Sequence, residues 1–265
     1  MEDRLLDIKK LSVDFSKDGN ITKAVENVDL YIRKGEIVGL VGESGCGKSS
    51  LALAILQLID PPGNICGEIK WKGSNLPDLS SSDMREIRGG DISMVFQDPF
   101  SALNPVFRVG EQIAEVFRIH QGFSRKKAWE KAIKLLDMVH IKDPEQRAND
   151  YPHQFSGGMK QRVAVAMAYA LSPDLLIADE PTTALDVTMQ KSIMELLREL
   201  KTAVLFISHN IALVSGFCSR IYVMQAGRIV EDGSTADIIN DPKDPYTAKL
   251  INSFKEMNIE INRGQ

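Results

Sequence analysis

One stretch constrains the fold more than any other: residues 42–49 read Gly-Glu-Ser-Gly-Cys-Gly-Lys-Ser and match the pattern G-x-x-x-x-G-K-[ST]. The apolar run Ile37–Val41 precedes it with the composition of a buried strand, and residues 50–59 follow it with the composition of a helix. A glycine-rich turn between a strand and a helix N-terminus binds phosphate, because backbone N–H groups and the helix dipole face one anion. A chance match is the alternative, and the intact strand–turn–helix context argues against it.

The side chains of this phosphate-binding loop have separate predicted roles. Gly42, Gly45 and Gly47 permit close backbone approach and unusual φ angles. Lys48 is predicted to reach the β- and γ-phosphates of a nucleotide, and Ser49 is predicted to ligate Mg²⁺. The loop therefore predicts a nucleotide-binding α/β protein.

Bulk properties exclude several classes of protein. The 265 residues, 43% hydrophobic and 26% charged, suit one large α/β domain or a main domain with a smaller lobe. A net charge of −4 does not indicate nucleic acid as a partner. Three cysteines without a CxxC pair favour a reducing compartment over a disulfide framework. We find neither a signal peptide nor an apolar run of about 18–20 residues, so we expect a cytosolic chain that meets a membrane only through a partner.

The pattern along the chain predicts an inserted lobe. Partly alternating segments at residues 5–15 and 24–32 predict an antiparallel hairpin before the phosphate-binding loop. Residues 98–155 show helical spacing with many charges, which predicts a helical lobe, and an alternating βα pattern resumes after it. We therefore predict an α/β P-loop NTPase core, a mostly parallel sheet flanked by helices, with an N-terminal antiparallel β subdomain and an inserted helical subdomain. The predicted single domain, 1–265, divides into 1–97 (antiparallel part and loop), 98–155 (helical), 156–234 (rest of the core) and 235–265 (tail).

Two acidic residues follow a continuous apolar strand, Leu175–Ala178. Ligands of open α/β sheets bind at the carboxyl ends of the strands, which is where Asp179 and Glu180 fall. Asp179 is predicted to hold Mg²⁺, usually through water, and Glu180 to accept a proton from the attacking water. Two acids that merely cap a strand are the alternative, and the polar Pro-Thr-Thr that follows makes it the weaker one.

Gln97 and His209 end two further apolar strands. Gln97 is placed to touch both Mg²⁺ and the attacking water, and His209 to reach the γ-phosphate, so polar residues at several strand ends would converge on one nucleotide. A lone histidine is more often structural, and that remains the alternative for His209. The other histidines lack ligand spacing and are interpreted as surface or structural residues: His120, His140 and His153.

A second predicted anion site lies far along the chain. Phe155–Arg162 places Ser156, Gly157 and Gly158 directly before a helix, which is again a helix N-terminus suited to phosphate. Two such ends in one chain suggest two chains facing head to tail, with each γ-phosphate between one chain's loop and the other's Ser-Gly-Gly.

Phe15 is the best candidate to stack on an adenine ring, and an ordinary place in the sheet core is nearly as good an explanation for it.

Together these motifs resemble the ATP-binding cassette family, and the match runs over most of the chain. In that family's terms, Gly42–Ser49 resembles Walker A and Leu175–Glu180 resembles Walker B with the catalytic glutamate. Phe155–Met159 resembles the signature motif, Ala184–Asp186 the D-loop, Gln97 the Q-loop and His209 the switch histidine. The common signature has Leu first and Gln fifth, where this chain has Phe155 and Met159, so Met159 is left out of the predicted ATP contacts.

The resemblance narrows to one group of transporters. Ser-Gly-Gly-Met, the Gln97–Pro105 segment and the tail Asp244–Leu250 resemble the ATPase subunits of the peptide/nickel importer group. This implies an ATP-hydrolysing subunit, at the cytoplasmic face of the membrane, that powers uptake of a peptide or a nickel or metal chelate. The implied partners are two integral-membrane permeases, a second ATPase subunit, identical or homologous, in a head-to-tail dimer, and indirectly an extracytoplasmic solute-binding protein. Longer members carry a cysteine-bearing extension, and without one we expect no metal cluster.

Two alternatives share part of this signal. A soluble cassette ATPase acting on ribosomes or DNA would share every catalytic residue, but it more often has two cassettes or a long coiled insertion. A P-loop kinase or GTPase leaves Phe155–Arg162 and His209 unexplained.

The predicted cofactors are ATP and Mg²⁺, and the predicted site residues fall into three sets. The catalytic residues are Glu180, His209, Gln97 and Lys48. The Mg²⁺ ligands are Ser49, Gln97 and Asp179. The nucleotide contacts are Phe15, Gly42, Glu43, Ser44, Gly45, Cys46, Gly47, Lys48, Ser49, Ser50, Gln97, Ser156, Gly157, Gly158 and Asp186.

Overall fold

The computed structural model describes residues 4–17, 20–98, 102–183 and 185–253. Its strands are β1 (Arg4–Lys17), β2 (Asn20–Arg33), β3 (Ile37–Val41), β4 (Gly63–Trp71), β5 (Ser74–Asn75), β6 (Ile92–Val95), β7 (Leu175–Asp179), β8 (Ala203–Ser208), β9 (Arg220–Gln225) and β10 (Arg228–Ser234). Its α-helices are α1 (Lys48–Ile55), α2 (Ser81–Gly90), α3 (Val109–Gln121), α4 (Arg125–Met138), α5 (Pro144–Arg147), α6 (Gly157–Tyr169), α7 (Val187–Glu199), α8 (Ile211–Phe217) and α9 (Thr235–Asn240). Residues 245–253 are also helical.

These elements form two compact units. The first contains the described residues up to Leu79 and from Ala203 onward, and the second contains Ser80–Thr202. Within the described residues, no helix combines the length and the apolar composition needed to cross a bilayer. Cys46, Cys66 and Cys218 are free thiols.

The first unit contains an antiparallel sheet and a mostly parallel set of strands. The antiparallel sheet has the order β2-β1-β4-β5. In the other set, β3 pairs in parallel with β8 on one side and β9 on the other, while β10 pairs antiparallel with β9. Every residue of β8 is buried and so are the last four of β3, as expected for parallel strands covered on both faces. The phosphate-binding loop leaves the carboxyl end of this buried strand β3.

Strand β1 changes its inward-facing side halfway along its length. Its fully buried residues are Leu6 and Ile8 in the first half and Leu11 and Val13 in the second, so the inward positions shift from even to odd numbers. Side chains of a strand alternate with a period of two, and an extra residue is needed to make that shift. Lys10 has a positive φ of 49°, and the pairing of β1 with β2 shifts between Ile8 and Leu11. A β-bulge at Lys10 therefore explains why the sequence of this strand alternates only in part.

The second unit contains a parallel strand pair and several helices. β6 and β7 run parallel, with Ile92 opposite Leu175 and Val95 opposite Ala178. The helices α3, α4 and α5 fall inside the stretch 98–155, for which helical spacing predicted helices. Four helices of this unit begin with a side chain that accepts a backbone N–H of the first turn, which defines where each helix starts: Ser80 for α2, Ser124 for α4, Ser156 for α6 and Asp186 for α7.

Candidate functional site

The loop from Gly42 to Lys48 closes around its own lysine side chain. Lys48 is only 5% exposed, and its ammonium group donates hydrogen bonds of 2.9 Å to the carbonyl oxygens of Gly42 and Glu43. Helix α1 begins at Lys48, with Gly47 as an N-cap that has no side chain to accept the N–H groups of the first turn. A buried positive charge beside uncapped helix N–H groups fits a phosphate anion.

Two glycines of the loop are required by backbone that passes close to them. A Cβ atom on Gly42 would lie 2.1 Å from the carbonyl oxygen of Met224, in β9, and one on Gly47 would lie 2.1 Å from the carbonyl oxygen of Ala24, in β2. Gly45 differs, because no atom lies within 4 Å of its Cβ position and only its φ of +78° favours glycine. Strands β2 and β9 therefore support the loop from outside.

Cys46 faces inward within the loop. Its carbonyl oxygen accepts the N–H of Gly227 at 2.9 Å, and its sulfur lies 3.8 Å from the Lys48 nitrogen. Burial raises the pKa of the Cys46 thiol, although the neighbouring Lys48 acts to lower it. The protonated thiol adds no negative charge where a phosphate would bind.

His209 directly follows the buried residue Ser208, where β8 ends, and it is exposed. The Ser208 hydroxyl accepts the N–H of Asn210 at 3.0 Å, and the Asn210 side chain in turn caps helix α8. His209 therefore lies on a short turn that is held on both sides.

Phe15 lies near the end of β1, opposite Thr22 of β2 and Gly63 of β4. It is half-buried, and a Cβ atom on Gly63 would come within 3.1 Å of its ring. The absence of a side chain at Gly63 leaves room for the ring. Stacking on adenine stays a prediction for Phe15.

In the second unit, the predicted base and the predicted Q-loop glutamine touch each other. The Glu180 carboxylate accepts a hydrogen bond from the Gln97 amide at 3.3 Å and one from the Thr183 hydroxyl at 2.8 Å. Glu180 has a left-handed backbone with φ of 46°, a conformation that costs a residue other than glycine about 1–3 kcal/mol. Asp179 ends β7 and is 4% exposed. The strained backbone at Glu180 thus places a buried carboxylate, that of Asp179, next to a more accessible one, that of Glu180.

The predicted second anion site begins helix α6. The Ser156 hydroxyl accepts the N–H of Met159 at 3.3 Å, and Asp186 accepts the N–H of Met189 at 3.0 Å at the start of α7. A Cβ atom on Gly158 would lie 1.9 Å from the terminal methyl of Met189. Gly158 therefore lets the first turns of α6 and α7 pack together. Ala184, of the predicted D-loop, lies outside the described residues.

Sequence reasoning missed two residues beside these motifs. Arg162 of α6 donates to the carbonyl oxygen of Val139 at 2.6 Å and to the hydroxyl of Ser192, and so connects α6 to α7 and to the end of α4. In the first unit, the Tyr246 hydroxyl accepts the N–H of Glu43 at 3.0 Å. Arg162 directly precedes the apolar run Val163–Ala168 of α6, which was a weak signal for a buried role, whereas nothing near Tyr246 in the sequence indicates its contact with the loop.

Each unit thus holds its own set of predicted site residues. The first unit carries the phosphate-binding loop, His209 and Phe15, and the second carries Gln97, Asp179, Glu180, Ser156–Gly158 and Asp186. Among the described residues, no group of three or more His, Cys, Asp or Glu side chains is arranged to hold a metal ion.

Comparison with known proteins places this arrangement in a family. The family model described as ABC transporter matches residues 25–183. The chain belongs to the ABC transporter family. A post-hydrolysis dimer of the ATP-binding cassette MJ0796, bound to ADP and phosphate, superimposes with a TM-score of 0.77 at 30% identity over 87% of this chain and 98% of that one. The predicted P-loop NTPase fold and the predicted ATPase activity of this ABC protein are thereby confirmed.

Several curated proteins are similar to this ABC ATPase along nearly its whole length. A probable peptide ABC transporter ATP-binding protein of Sinorhizobium fredii is 51% identical over 96% of this chain and 78% of its own length. The dipeptide transport ATP-binding protein of Haemophilus influenzae is 48% identical over 95% of this chain and 78% of its own. The oligopeptide transport ATP-binding protein of Bacillus subtilis is 47% identical over 95% of this chain and 72% of its own.

Proposed function

We propose that this ABC ATPase powers an importer that takes up peptides through partner permeases, at the cytoplasmic face of the membrane. Relatives named for peptide, dipeptide and oligopeptide transport, at 47–51% identity, support the peptide side of the predicted peptide or nickel class. The same names favour transport over a soluble role on ribosomes or DNA. An extracytoplasmic binding protein would deliver the solute to the permeases.

ATP binding is assigned to the loop and its helix. Backbone N–H groups of residues 44–50 and the Lys48 ammonium would hold the phosphates, and His209 would contact the γ-phosphate. Ser49, which is exposed at the first turn of α1, is proposed as a ligand of Mg²⁺. Asp179 and Gln97 remain the predicted Mg²⁺ ligands of the second unit. When bound, Mg²⁺ neutralises charge on the phosphate oxygens.

Hydrolysis is assigned to Glu180, and the contact that supports this role is its pair of hydrogen bonds. Gln97 and Thr183 both donate to one carboxylate oxygen, Oε2, and so orient the carboxylate that would accept a proton from water. The bond to Gln97 also connects the base to the chain that enters the helical segment. Movement of that segment would therefore alter the position of the base.

A second ATPase chain would complete each site. The N-terminus of α6, with Ser156, Gly157 and Gly158, offers donors to a phosphate, and Asp186 lies at the start of the neighbouring helix α7. We assign these residues to the nucleotide that the partner chain holds in a head-to-tail dimer, identical or homologous.

The permease contact is assigned to the helical segment. Val106 and Phe107 are 71% and 56% exposed and line a groove of about 390 Å³ together with Glu111 and Tyr151. The loop carrying them is rigid, because the buried Gln112 amide donates to the carbonyl oxygens of Asn104 and Phe107 at 2.9 and 3.0 Å. An exposed apolar pair on a fixed loop suits a helix of the permease that faces the cytoplasm.

Glu180→Gln tests the catalytic assignment. The Gln amide oxygen still accepts from Gln97 and Thr183, so the local structure should remain, but a neutral amide does not accept a proton from water. We expect ATP binding to persist, turnover to fall by about 10²–10⁴-fold, and a closed dimer to accumulate with ATP. Binding, phosphate release and size-exclusion chromatography measure the three effects.

Glu195→Gln is the matched control, because Glu195 is an exposed glutamate on α7 and should leave turnover unchanged. Unchanged turnover in Glu180→Gln would remove Glu180 from the role of base. Affinity purification from membranes tests the transport assignment separately, since an importer subunit should carry two integral-membrane permeases with it. Purification without membrane proteins would contradict that assignment.

A further inference from the structure

One peptide group of the phosphate-binding loop is held at both of its polar atoms. The carbonyl oxygen of Gly42 accepts the Lys48 ammonium at 2.9 Å, and the N–H of Glu43 donates to the Tyr246 hydroxyl at 3.0 Å. These two atoms belong to the same planar peptide group. The lysine and the tyrosine together therefore fix the rotation of that group, which begins the loop.

Nucleotide binding affects these two hydrogen bonds differently. The Lys48 ammonium has three donors, and when it reaches for the β- and γ-phosphates it must withdraw donors from the carbonyl oxygens of Gly42 and Glu43. Nucleotide binding does not require the Tyr246 hydroxyl to change its partner. The hydroxyl can keep the Gly42–Glu43 peptide in place while Lys48 changes partners.

Tyr246 is itself held in place by a hydrogen-bond network that starts at Glu231 and runs through Asp244. The Glu231 carboxylate, on β10, accepts the N–H groups of Lys243 and Asp244 at 2.8 and 3.1 Å. Asp244 in turn accepts the N–H of Tyr246 at 2.8 Å, at the start of the helical residues 245–253. Partial burial acts to raise the pKa of Glu231, but its hydrogen bonds hold the pKa below the ordinary value, as expected for a charged anchor.

We propose that Tyr246 is a positioning residue of the phosphate-binding loop and that residues 241–253 set nucleotide affinity through it. The proposal rests on the assignment of nucleotide binding to Gly42–Ser50. The competing explanation is that the bond only fastens the C-terminal segment to the molecule. In that case its loss would lower stability and leave the affinity of the folded protein unchanged.

Tyr246→Phe in the full chain separates the two explanations, because it removes the hydroxyl and keeps the ring. We expect the Kd for ATP with Mg²⁺ to rise about three- to tenfold, which is the effect of one net hydrogen bond, with little change in Tm. Tyr169→Phe is the matched control, since the Tyr169 hydroxyl also makes one bond to backbone, 2.8 Å from the carbonyl oxygen of Leu200 in the other unit. Its Kd should equal that of the wild type.

A second variant tests the anchor. Glu231→Ala leaves Tyr246 and the loop intact but releases Lys243 and Asp244, and it should also raise the Kd for ATP. The proposal is overturned if the Kd of Tyr246→Phe equals that of Tyr169→Phe. It is also overturned if Glu231→Ala leaves the Kd at the wild-type value.

Hydrogen exchange of the wild-type chain keeps the proposal testable if a variant does not fold. The Glu43 amide should exchange slowly, because it is bonded to Tyr246, and exchange at the rate of an unprotected amide would overturn the proposal. Failure of the nucleotide assignment has a different signature. The wild type would then not bind ATP, or Lys48→Ala would bind it as tightly.

Discussion

Gly47→Ala is the substitution for which the structure predicts the most definite cost in the phosphate-binding loop. Gly47 precedes α1 with φ of 107° and ψ of 0°, well outside the left-handed region that L residues tolerate. Its Cβ atom would lie 2.1 Å from the carbonyl oxygen of Ala24 and 3.0 Å from the terminal methyl of Met224. The Met224 methyl can turn away, but the Ala24 oxygen is backbone.

The magnitude follows from two separate costs. A non-glycine residue at positive φ costs about 1–2 kcal/mol. A carbon–oxygen contact needs about 3.3 Å, so the Ala24 carbonyl must move by more than about 1 Å, and such overpacking typically costs about 1–3 kcal/mol more. Ala24 has little freedom to move, because the next residue of β2, Val25, is 0% exposed. The free energy of unfolding should therefore fall by about 2–5 kcal/mol.

Gly45→Ala carries only the first cost, so the difference between the two variants isolates the second. Gly45 also has a positive φ, +78°, but nothing lies within 4 Å of its Cβ position, so only the conformational cost of about 1–2 kcal/mol applies. Urea denaturation of the nucleotide-free chain, followed by circular dichroism, compares the two midpoints at constant m. Equal midpoints for Gly45→Ala and Gly47→Ala would refute the reasoning, because they would show that the Ala24 contact carries no cost.

Two further predictions follow, one for each unit. Arg220→Met should lower the free energy of unfolding by about 1–3 kcal/mol, since the Glu36 carboxylate, 11% exposed, loses its ion pair with Arg220 at 2.9 Å. Glu36 then keeps the Arg33 backbone N–H at 2.8 Å and the Arg33 guanidinium at 3.9 Å. Arg228→Met breaks an exposed ion pair and should shift the urea midpoint little, and equal shifts would contradict the argument. Phe107→Asp should reduce the permease recovered by affinity purification without changing ATP affinity. Ile119→Asp, at another exposed apolar site outside the groove, is its control, and equal recovery would contradict the proposed surface.

Local patterns predicted the elements whose residues carry their own signal. The apolar strand Leu175–Ala178 corresponds to β7, and Ile37–Val41 is β3 residue for residue. Burial on both faces makes such parallel strands continuously apolar, so neighbouring residues alone identify them. Helix α1 was predicted by composition as well, although it ends at Ile55 rather than near residue 59. The ends of elements depend on their neighbours and are less visible in sequence.

Contacts between distant residues were not predictable in the same way. β1 keeps its pairing through a bulge at Lys10, and a Cβ atom on Gly67 of β4 would lie 2.5 Å from the Lys10 carbonyl oxygen. The partial alternation of the sequence suggested a strand but not the bulge. Likewise, Arg162 reaches the end of α4 and helix α7, and no spacing rule connects those positions.

The sequence by itself determined the chemistry of this ABC ATPase: a phosphate-binding loop, acids at a strand end, and a second helix N-terminus preceded by serine and glycine. Each of these is a local arrangement of backbone and side chain, so a short run of residues is enough to specify it. Only the tertiary structure decided what holds them in place. The bond between Glu43 and Tyr246 joins residues 203 positions apart, and the contact of Gly47 with Ala24 depends on how β2 passes the loop. Such contacts form only after the chain has packed, and no local pattern encodes them.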